Sequence, residues 1–545
     1  MSLRSNILLL ALIAVFAGCA QDESGTPPPI DDFYYPVSVA VVEQTPGKPI
    51  LYVVSSNFDL RYNRGTVIAV DTAKLSDPPD GPIAAAVDQE RGWAFIDSYG
   101  GETATFSPAG AGVSGETRLF VPTRFENRLF ALSADGPQLS CLLDRKDQAE
   151  KSIRQDCQDQ GILLEDPDDE AVRSVDPFGV ALDGSSLFIT HLSQADDPPQ
   201  SGEKRTSYLV HLDAETLTSP PAFLDIGPAP ASTLVRSPVG LYIAGRSLAG
   251  TELGNSEVLR QVVPTGSVCI TCARGETACG ASCCAAGQTC SAGTCVVKTC
   301  NDGQTACGAS CCAVGELCAH GTCLAACPEG QTACGALCCA ENQTCDQDSG
   351  TCFETTCPTG GGACMGNQCR NVVDTAVTNA TSIEEARGLA LSSDQSRLFL
   401  STRSPDGLLV VDVTVDPSTG AARNRVLGFS TLPTGPSQVL VIPRTGMRDL
   451  VAIACTTSNA VAFYDDELGE ATGLVEGIAE PFGMAKATIA GKPDAARLFV
   501  ASFGNHTVDV IDVSDVARPR TAVLVGQLGL GAHRPLGIVI PEGLQ

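Results

Sequence analysis

Histidine, positive charge and long apolar runs are all scarce in this chain, and each scarcity removes a class of activity. Its 545 residues include only five histidines, His191, His211, His320, His506 and His533, which leaves little imidazole for proton transfer or metal ligation. Lys and Arg number 35 against 63 Asp and Glu, a net charge of −28; neutralising phosphates needs the opposite balance, so nucleic acid is excluded as a partner. No GxSxG, HExxH or phosphate-binding glycine loop occurs, and no CxxCH for covalent haem. No cofactor or metal is expected. The apolar run Ile7 to Ala17 is too short to cross a bilayer as a helix.

Cysteine is scarce along most of the chain and dense in one part. Between Cys269 and Cys369 lie 22 of the 26 cysteines. They fall in three near-copies of one spacing: Cys272, Cys279, Cys283, Cys284, Cys290 and Cys295; Cys300, Cys307, Cys311, Cys312, Cys318 and Cys323; Cys327, Cys334, Cys338, Cys339, Cys345 and Cys352. The surrounding residues are mostly Gly, Ala, Ser and Thr, which bury too little apolar surface to offset the entropy of ordering the chain. Disulfides are expected to take over that role, each closing a loop of about 15 residues for roughly 3 kcal/mol. Such bonds persist outside the reducing cytosol. The order C–C–CC–C–C resembles the knottin framework, although spacing alone leaves the pairing open. The rival reading is a zinc knuckle at Cys269 and Cys272; it needs two clusters of two ligands, and these cysteines are too many and too evenly spread.

The first 19 residues combine Arg4, the apolar run and Phe16-Ala17-Gly18-Cys19. This is a signal peptide whose end resembles the bacterial lipobox, which implies lipidation of Cys19 and a membrane partner through that lipid. Ala20 rather than Asp after the cysteine implies, by resemblance to Gram-negative lipoproteins, the outer membrane. The polar, Pro-rich segment 20–33 is suited to a tether. Of the cysteines outside the dense block, Cys141 and Cys157 are close enough in sequence to pair, and Cys455 sits in an apolar strand as a buried free thiol. The acidic run Glu165 to Glu170 lacks the alternating ligands and glycine of a calcium loop and is expected to be a solvated loop.

Short strands bounded by Gly, Pro, Asn and Asp fill the rest, which predicts an all-β fold. One apolar strand recurs seven times, starting at Leu51, Leu119, Leu187, Leu241, Leu398, Val451 and Leu498. A Pro-led strand precedes most of them, as at Pro177, Pro436 and Pro481, and a strand ending in a carboxylate follows several, as at Asp71 and Asp512. Each period is therefore a small antiparallel meander, apolar on both faces and so covered on both. The pattern, clearest from Leu498 to Asp512, resembles the YVTN-type, lactonase-like β-propeller repeat. The resemblance implies a seven-bladed propeller, with six or eight blades as alternatives. The starts are spaced 68, 68, 54, 157, 53 and 47 residues apart, and removing the 101 residues from Cys269 to Cys369 brings 157 down to 56. The cysteine block thus reads as a disulfide-rich insertion in a rim hairpin of the fourth blade. The expected organisation is blades 1–4 in 34–264, the insertion in 265–372, and blades 5–7 with a closing strand at Pro535 to Ile540 in 373–545.

Two residues beyond the apolar four of each repeat stand Ser56, Arg124, Leu192, Arg246, Arg403, Thr456 and Phe503. If rotation relates the blades, Arg124, Arg246 and Arg403 share one face around the channel, where guanidinium groups could bind carboxylate or phosphate; the bland alternative is pairing with acids of neighbouring blades. The expected function is non-covalent binding or scaffolding by a lipid-anchored surface or periplasmic protein, through this face and the cysteine-rich arm, with a protein or glycan ligand. The rival class is a propeller hydrolase of lactonase type with His191 as its candidate base.

Overall fold

Seven times the chain makes the same four-stranded antiparallel course, each time from the axis outward. In the computed structural model the first blade comprises Pro36–Thr45, Lys48–Ser55, Gly65–Asp71 and Trp93–Ile96. The last comprises Pro481–Ile489, Lys492–Ser502, Thr507–Val513 and Ala522–Leu528. The structure describes residues 25–529 apart from loops at 109–116, 144–154, 166–173, 195–206, 218–220, 247–257 and 416–421, a few one- or two-residue positions, and the parts of 265–382 between short strands. The proposed closing strand at Pro535 to Ile540 and the lipidation site at Cys19 lie outside the described residues.

Strands with no polar face need cover on both sides, and stacking supplies it. All six residues of Leu450–Cys455 and of Ala460–Asp465 are buried. The apolar side chains fall into seven separate cores, each shared by two consecutive blades. One joins Val53 and Ile68 of blade 1 to Phe499 and Val510 of blade 7, so the ring closes. The other six join blades 1 and 2, 2 and 3, 3 and 4, 4 and 5, 5 and 6, and 6 and 7. The molecule is a seven-bladed β-propeller. Across the closing seam Thr488 Oγ1 donates to Glu43 Oε1 at 2.8 Å, and Gly47 N donates to Thr488 Oγ1 at 3.2 Å.

The carboxylates that end the third strands brace the outer rim. Asp465 receives both terminal nitrogens of Arg444, at 2.6 and 2.9 Å, and Asp512 receives Arg497 Nε at 2.6 Å. Cys141 and Cys157 form a disulfide, and Cys455 is a buried free thiol, both as the sequence predicts. In blade 4 the third strand, Leu259–Pro264, pairs with Gln368–Val372. The cysteine-rich segment runs between these two strands as six short hairpins, such as Thr305–Cys307 with Ser310–Cys312. The side chains of its cysteines lie outside the described residues.

Candidate functional site

The innermost strand of each blade begins with a bulge, and the two residues after the first position turn toward the axis. In blade 7 the register passes from Pro481↔Ser502 to Met484↔Val500, one residue longer on the inner strand. The same shift follows Pro36, Pro177, Ala231, Ala386 and Pro436. Neighbouring inner strands meet at these bulges, which is why glycine recurs there. A Cβ on Gly483 would lie 2.5 Å from Val37 O, and one on Gly388 2.1 Å from Ser437 O.

The bulge pairs line a channel cavity of about 410 Å3, solvent included. Val37, Glu102, Phe178, Ser232, Arg387, Ser437, Gln438, Phe482 and Gly483 all come from them, and Arg403 overhangs from the second strand of blade 5. Beside this ring lie the positions aligned in the sequence, and one repeated backbone hydrogen bond demonstrates the equivalence of six of the seven, all but Leu192. The N–H of Ser56, Arg124, Arg246, Arg403, Thr456 and Phe503 donates to the carbonyl of Tyr35, Tyr99, Pro230, Glu385, Gly435 and Glu480, at 3.0, 3.1, 3.0, 3.1, 2.9 and 3.2 Å. Each acceptor lies just before its blade's inner strand. Tyr35, Tyr99 and Glu480 hold left-handed φ values of 51°, 60° and 48°, a conformation costly for such side chains and kept where the surroundings impose it.

Arg124, Arg246 and Arg403 therefore share one face, and Arg387, which the alignment of apolar strands did not reach, joins them from the bulge of blade 5. Burial pushes the Arg387 guanidinium down to about 10, and the charges of Arg246 and Arg403 push the same way against Glu385. Burial also lowers Arg246, assisted by Arg403 and Arg124 and opposed by Glu385 and Asp176. These couplings put Arg246, Arg387 and Arg403 within electrostatic reach of one another and Arg124 within reach of Arg246. Two carboxylates answer them. Asp176 Oδ1 lies 3.8 Å from Arg124 Nε, and Glu385 is shared by Arg246 and Arg387. Arg403 Nε donates to Pro436 O at 3.1 Å. Acids of neighbouring segments thus pair with part of the cluster.

A third carboxyl, Glu102, lines the cavity itself. Thr233 Oγ1 donates to its Oε2 at 2.8 Å, and its backbone N–H donates to Phe178 O at 2.8 Å. Burial raises its pKa to about 7, against the lowering effect of the Thr233 bond. Glu102 was missed in the sequence because blade 2 lacks the Pro-led signature, beginning instead with Gly100-Gly101. The signal available for Arg387 was the position after the first residue of its inner strand; Glu102 stands two residues after the Gly100↔Thr123 bridge and ahead of the strand Ala104–Phe106, where that rule does not reach.

His191 is 1% exposed, opposite Pro177, and stands apart from the cavity lining. Burial lowers its pKa to about 4, partly countered by the nearby backbone of Tyr208 and the charge of Asp176. Aromatic rings also line the mouth, from blades 7 and 1 and, by way of Phe178, from blade 3. Phe178 and Phe482 stand 6.2 Å apart, Phe482 and Phe503 6.2 Å, Phe503 and Tyr35 4.8 Å, and Phe503 and Phe58 5.4 Å, centroid to centroid. Among the described residues, no group of three or more His, Cys, Asp and Glu side chains is placed to hold a metal ion.

No protein-family model and no curated protein matches the chain. Among solved structures, it is similar to the periplasmic gluconolactonase PpgL of Pseudomonas aeruginosa, at 14% identity over 83% of this chain and 88% of that one, with a TM-score of 0.41. It is also similar to apo AztD from Citrobacter koseri, at 8% identity over 90% of each chain, with a TM-score of 0.37. Hydrazine synthase of Kuenenia stuttgartiensis matches at 18% identity over 32% of this chain with a TM-score of 0.21, and only 47% of that chain's length is spanned. At such TM-scores the likenesses carry no weight, and the propeller stands on its strand pairing and seven shared cores.

Proposed function

We propose that this chain is a lipid-anchored propeller outside the cytoplasm that binds a small organic anion at the channel mouth. The observation that carries the reading is that Arg246 and Arg387 share Glu385 while Arg387 and Arg403 line the cavity, in a chain of net charge −28. Holding like charges together costs energy that a bound anion would offset. The disulfide between Cys141 and Cys157 supports an oxidising compartment. That fits lipidation at Cys19 and an outer-membrane address, and replacing Cys19 by Ala should move the protein from the membrane to the soluble fraction. The cysteine-rich arm, rooted in the outer strands of blade 4, offers a second surface for a protein or glycan partner. Calorimetric titration of the purified chain with citrate, phosphate and aromatic carboxylates tests the anion site. Binding of at least one of them, weakened roughly tenfold or more in Arg387→Gln/Arg403→Gln, is expected; no binding by any of them sinks the reading.

One observation favours a second reading, a hydrolase of lactonase type. Glu102 titrates near neutrality in the same cavity, as a general base should, whereas His191 stands apart from the lining. Turnover of a lactone panel abolished in Glu102→Gln would select this reading. Absence of turnover leaves binding alone.

A further inference from the structure

The chain is only 5% aromatic, yet much of that content gathers at one opening. Phe178 and Phe482 occupy the same bulge position in blades 3 and 7 and face the cavity. Phe178 packs in none of the seven apolar cores, so core packing does not account for its ring. Phe58 is 51% exposed and lies 5.8 Å from Tyr99 and 5.4 Å from Phe503. Its loop is pinned rather than loose. Asn57 Nδ2 donates to Tyr62 O at 2.7 Å, and Tyr62 N donates to Asn57 Oδ1 at 3.0 Å. An exposed aromatic shelf held in place by its own loop lowers the entropy cost of receiving a ligand. Arg246, Arg387 and Arg403 come from blades 4 and 5 and most of the rings from blades 7 and 1 across the channel, while Phe178 reaches Phe482 from blade 3, between the arginine-bearing blades 2 and 4. At the boundary Arg124 Cζ stands 5.4 Å from the centre of the Tyr99 ring.

A split mouth of this kind selects a ligand that is itself split. Resting on the anion-binding reading, we propose that the ligand is a small planar organic acid, its carboxylate turned toward Arg246, Arg387 and Arg403 and its ring laid on the shelf of Phe178, Phe482, Phe503 and Phe58. Charge complementarity fixes one end of such a molecule, and stacking on π faces fixes the other. A purely aliphatic polyacid would leave the shelf wet.

The test is calorimetric titration of the full chain with 2-naphthoate and indole-3-acetate against acetate and citrate, in the native protein and in Phe58→Ser and Phe178→Ala. Naphthoate is expected to bind roughly tenfold or more tighter than acetate. Each substitution should erase most of that preference, lowering naphthoate affinity far more than acetate affinity. Phe58 is half exposed, so its replacement keeps the fold, and a thermal melt checks Phe178→Ala. Equal affinity for naphthoate and acetate, or a preference indifferent to both substitutions, overturns the proposal and leaves anion binding intact. If no anion binds, the broader reading falls as well.

Discussion

Arg246 Nε lies 3.8 Å from Glu385 Oε1, the same carboxylate oxygen that Arg387 reaches. One acid therefore holds two cations, and on the anion-binding proposal it competes with a ligand's carboxylate for them. Replacing Glu385 by Gln should release both guanidinium groups to the ligand while raising the repulsion between them. Anion affinity is expected to rise several-fold, and stability to fall by about 1–2 kcal/mol because the groups are only partly buried. A titration paired with a thermal melt reads both effects. Unchanged affinity would mean that Glu385 does not compete with the ligand.

Glu102 sets the expected pH dependence. Its pKa of about 7 in the folded chain stands above the ordinary carboxyl value. Between those two values the folded chain keeps a proton that the unfolded chain has lost. The stability associated with Glu102 is therefore full at acid pH, declines as pH rises toward 7, and is constant above. Anion binding follows the same direction, because an ionised Glu102 faces the ligand with like charge. Arg387 keeps its charge to about 10, and His191, near 4, is neutral throughout. Affinity for naphthoate, itself ionised over the whole range, should fall roughly two- to tenfold from pH 6 to pH 8. Glu102→Gln should flatten that profile and gain stability at pH 8. A wild-type profile already flat would remove Glu102 from the site.

The disulfide locks two blades rather than one loop. Cys141 ends the outermost strand of blade 2, Gln138–Cys141. On the other side of the bond, Cys157 N donates to Phe95 O at 3.0 Å and Phe95 N to Gln155 O at 2.7 Å, on the outer strand of blade 1. Removing the bond with Cys141→Ser/Cys157→Ser should cost about 3 kcal/mol, readable as a lowered unfolding midpoint in denaturant. Cys455 should behave oppositely. Burial pushes its thiol up to about 12, so alkylation of the native protein followed by peptide mass spectrometry should find Cys455 unmodified until the chain unfolds.

The blade rhythm was legible because strands buried on both faces read as short apolar runs at even spacing, and subtracting one insertion restored the period. The ring of seven positions was legible for the same reason: rotation carries a fixed offset from Leu51 or Leu498 to the same height in every blade. His191 was not, although it adjoins one of those positions. It precedes Leu192, and strand alternation turns neighbours to opposite faces, so the imidazole goes into the protein beside Pro177. Arg387 and Glu102 were hidden by the bulges. One extra residue reverses the in-and-out alternation along the inner strand, so a side chain that simple alternation assigns to a blade face enters the channel instead. Aligning the inner strands on their first residue finds Arg387, whereas Glu102 comes into line only when blade 2 is counted from the Gly100↔Thr123 bridge.

Those bulges are also where the ring is most easily broken. A methyl group on Gly388 would lie 2.1 Å from Ser437 O, and one on Gly483 2.5 Å from Val37 O. Both obstacles are backbone carbonyls of the next blade, which cannot move unless the blade does. Gly388→Ala and Gly483→Ala should each cost about 2–4 kcal/mol. Gly428, with nothing within 4 Å of its would-be Cβ, is the control, and Gly428→Ala should stay within about 0.5 kcal/mol of the parent. Because Gly388 follows Arg387 directly, its substitution should also weaken anion binding, an effect that Gly483→Ala, two blades away, should show less strongly. Denaturant melts of the three variants decide the matter. If Gly388→Ala proves as stable as Gly428→Ala, the inner strands do not meet at their bulges, and something else sets the width of the channel.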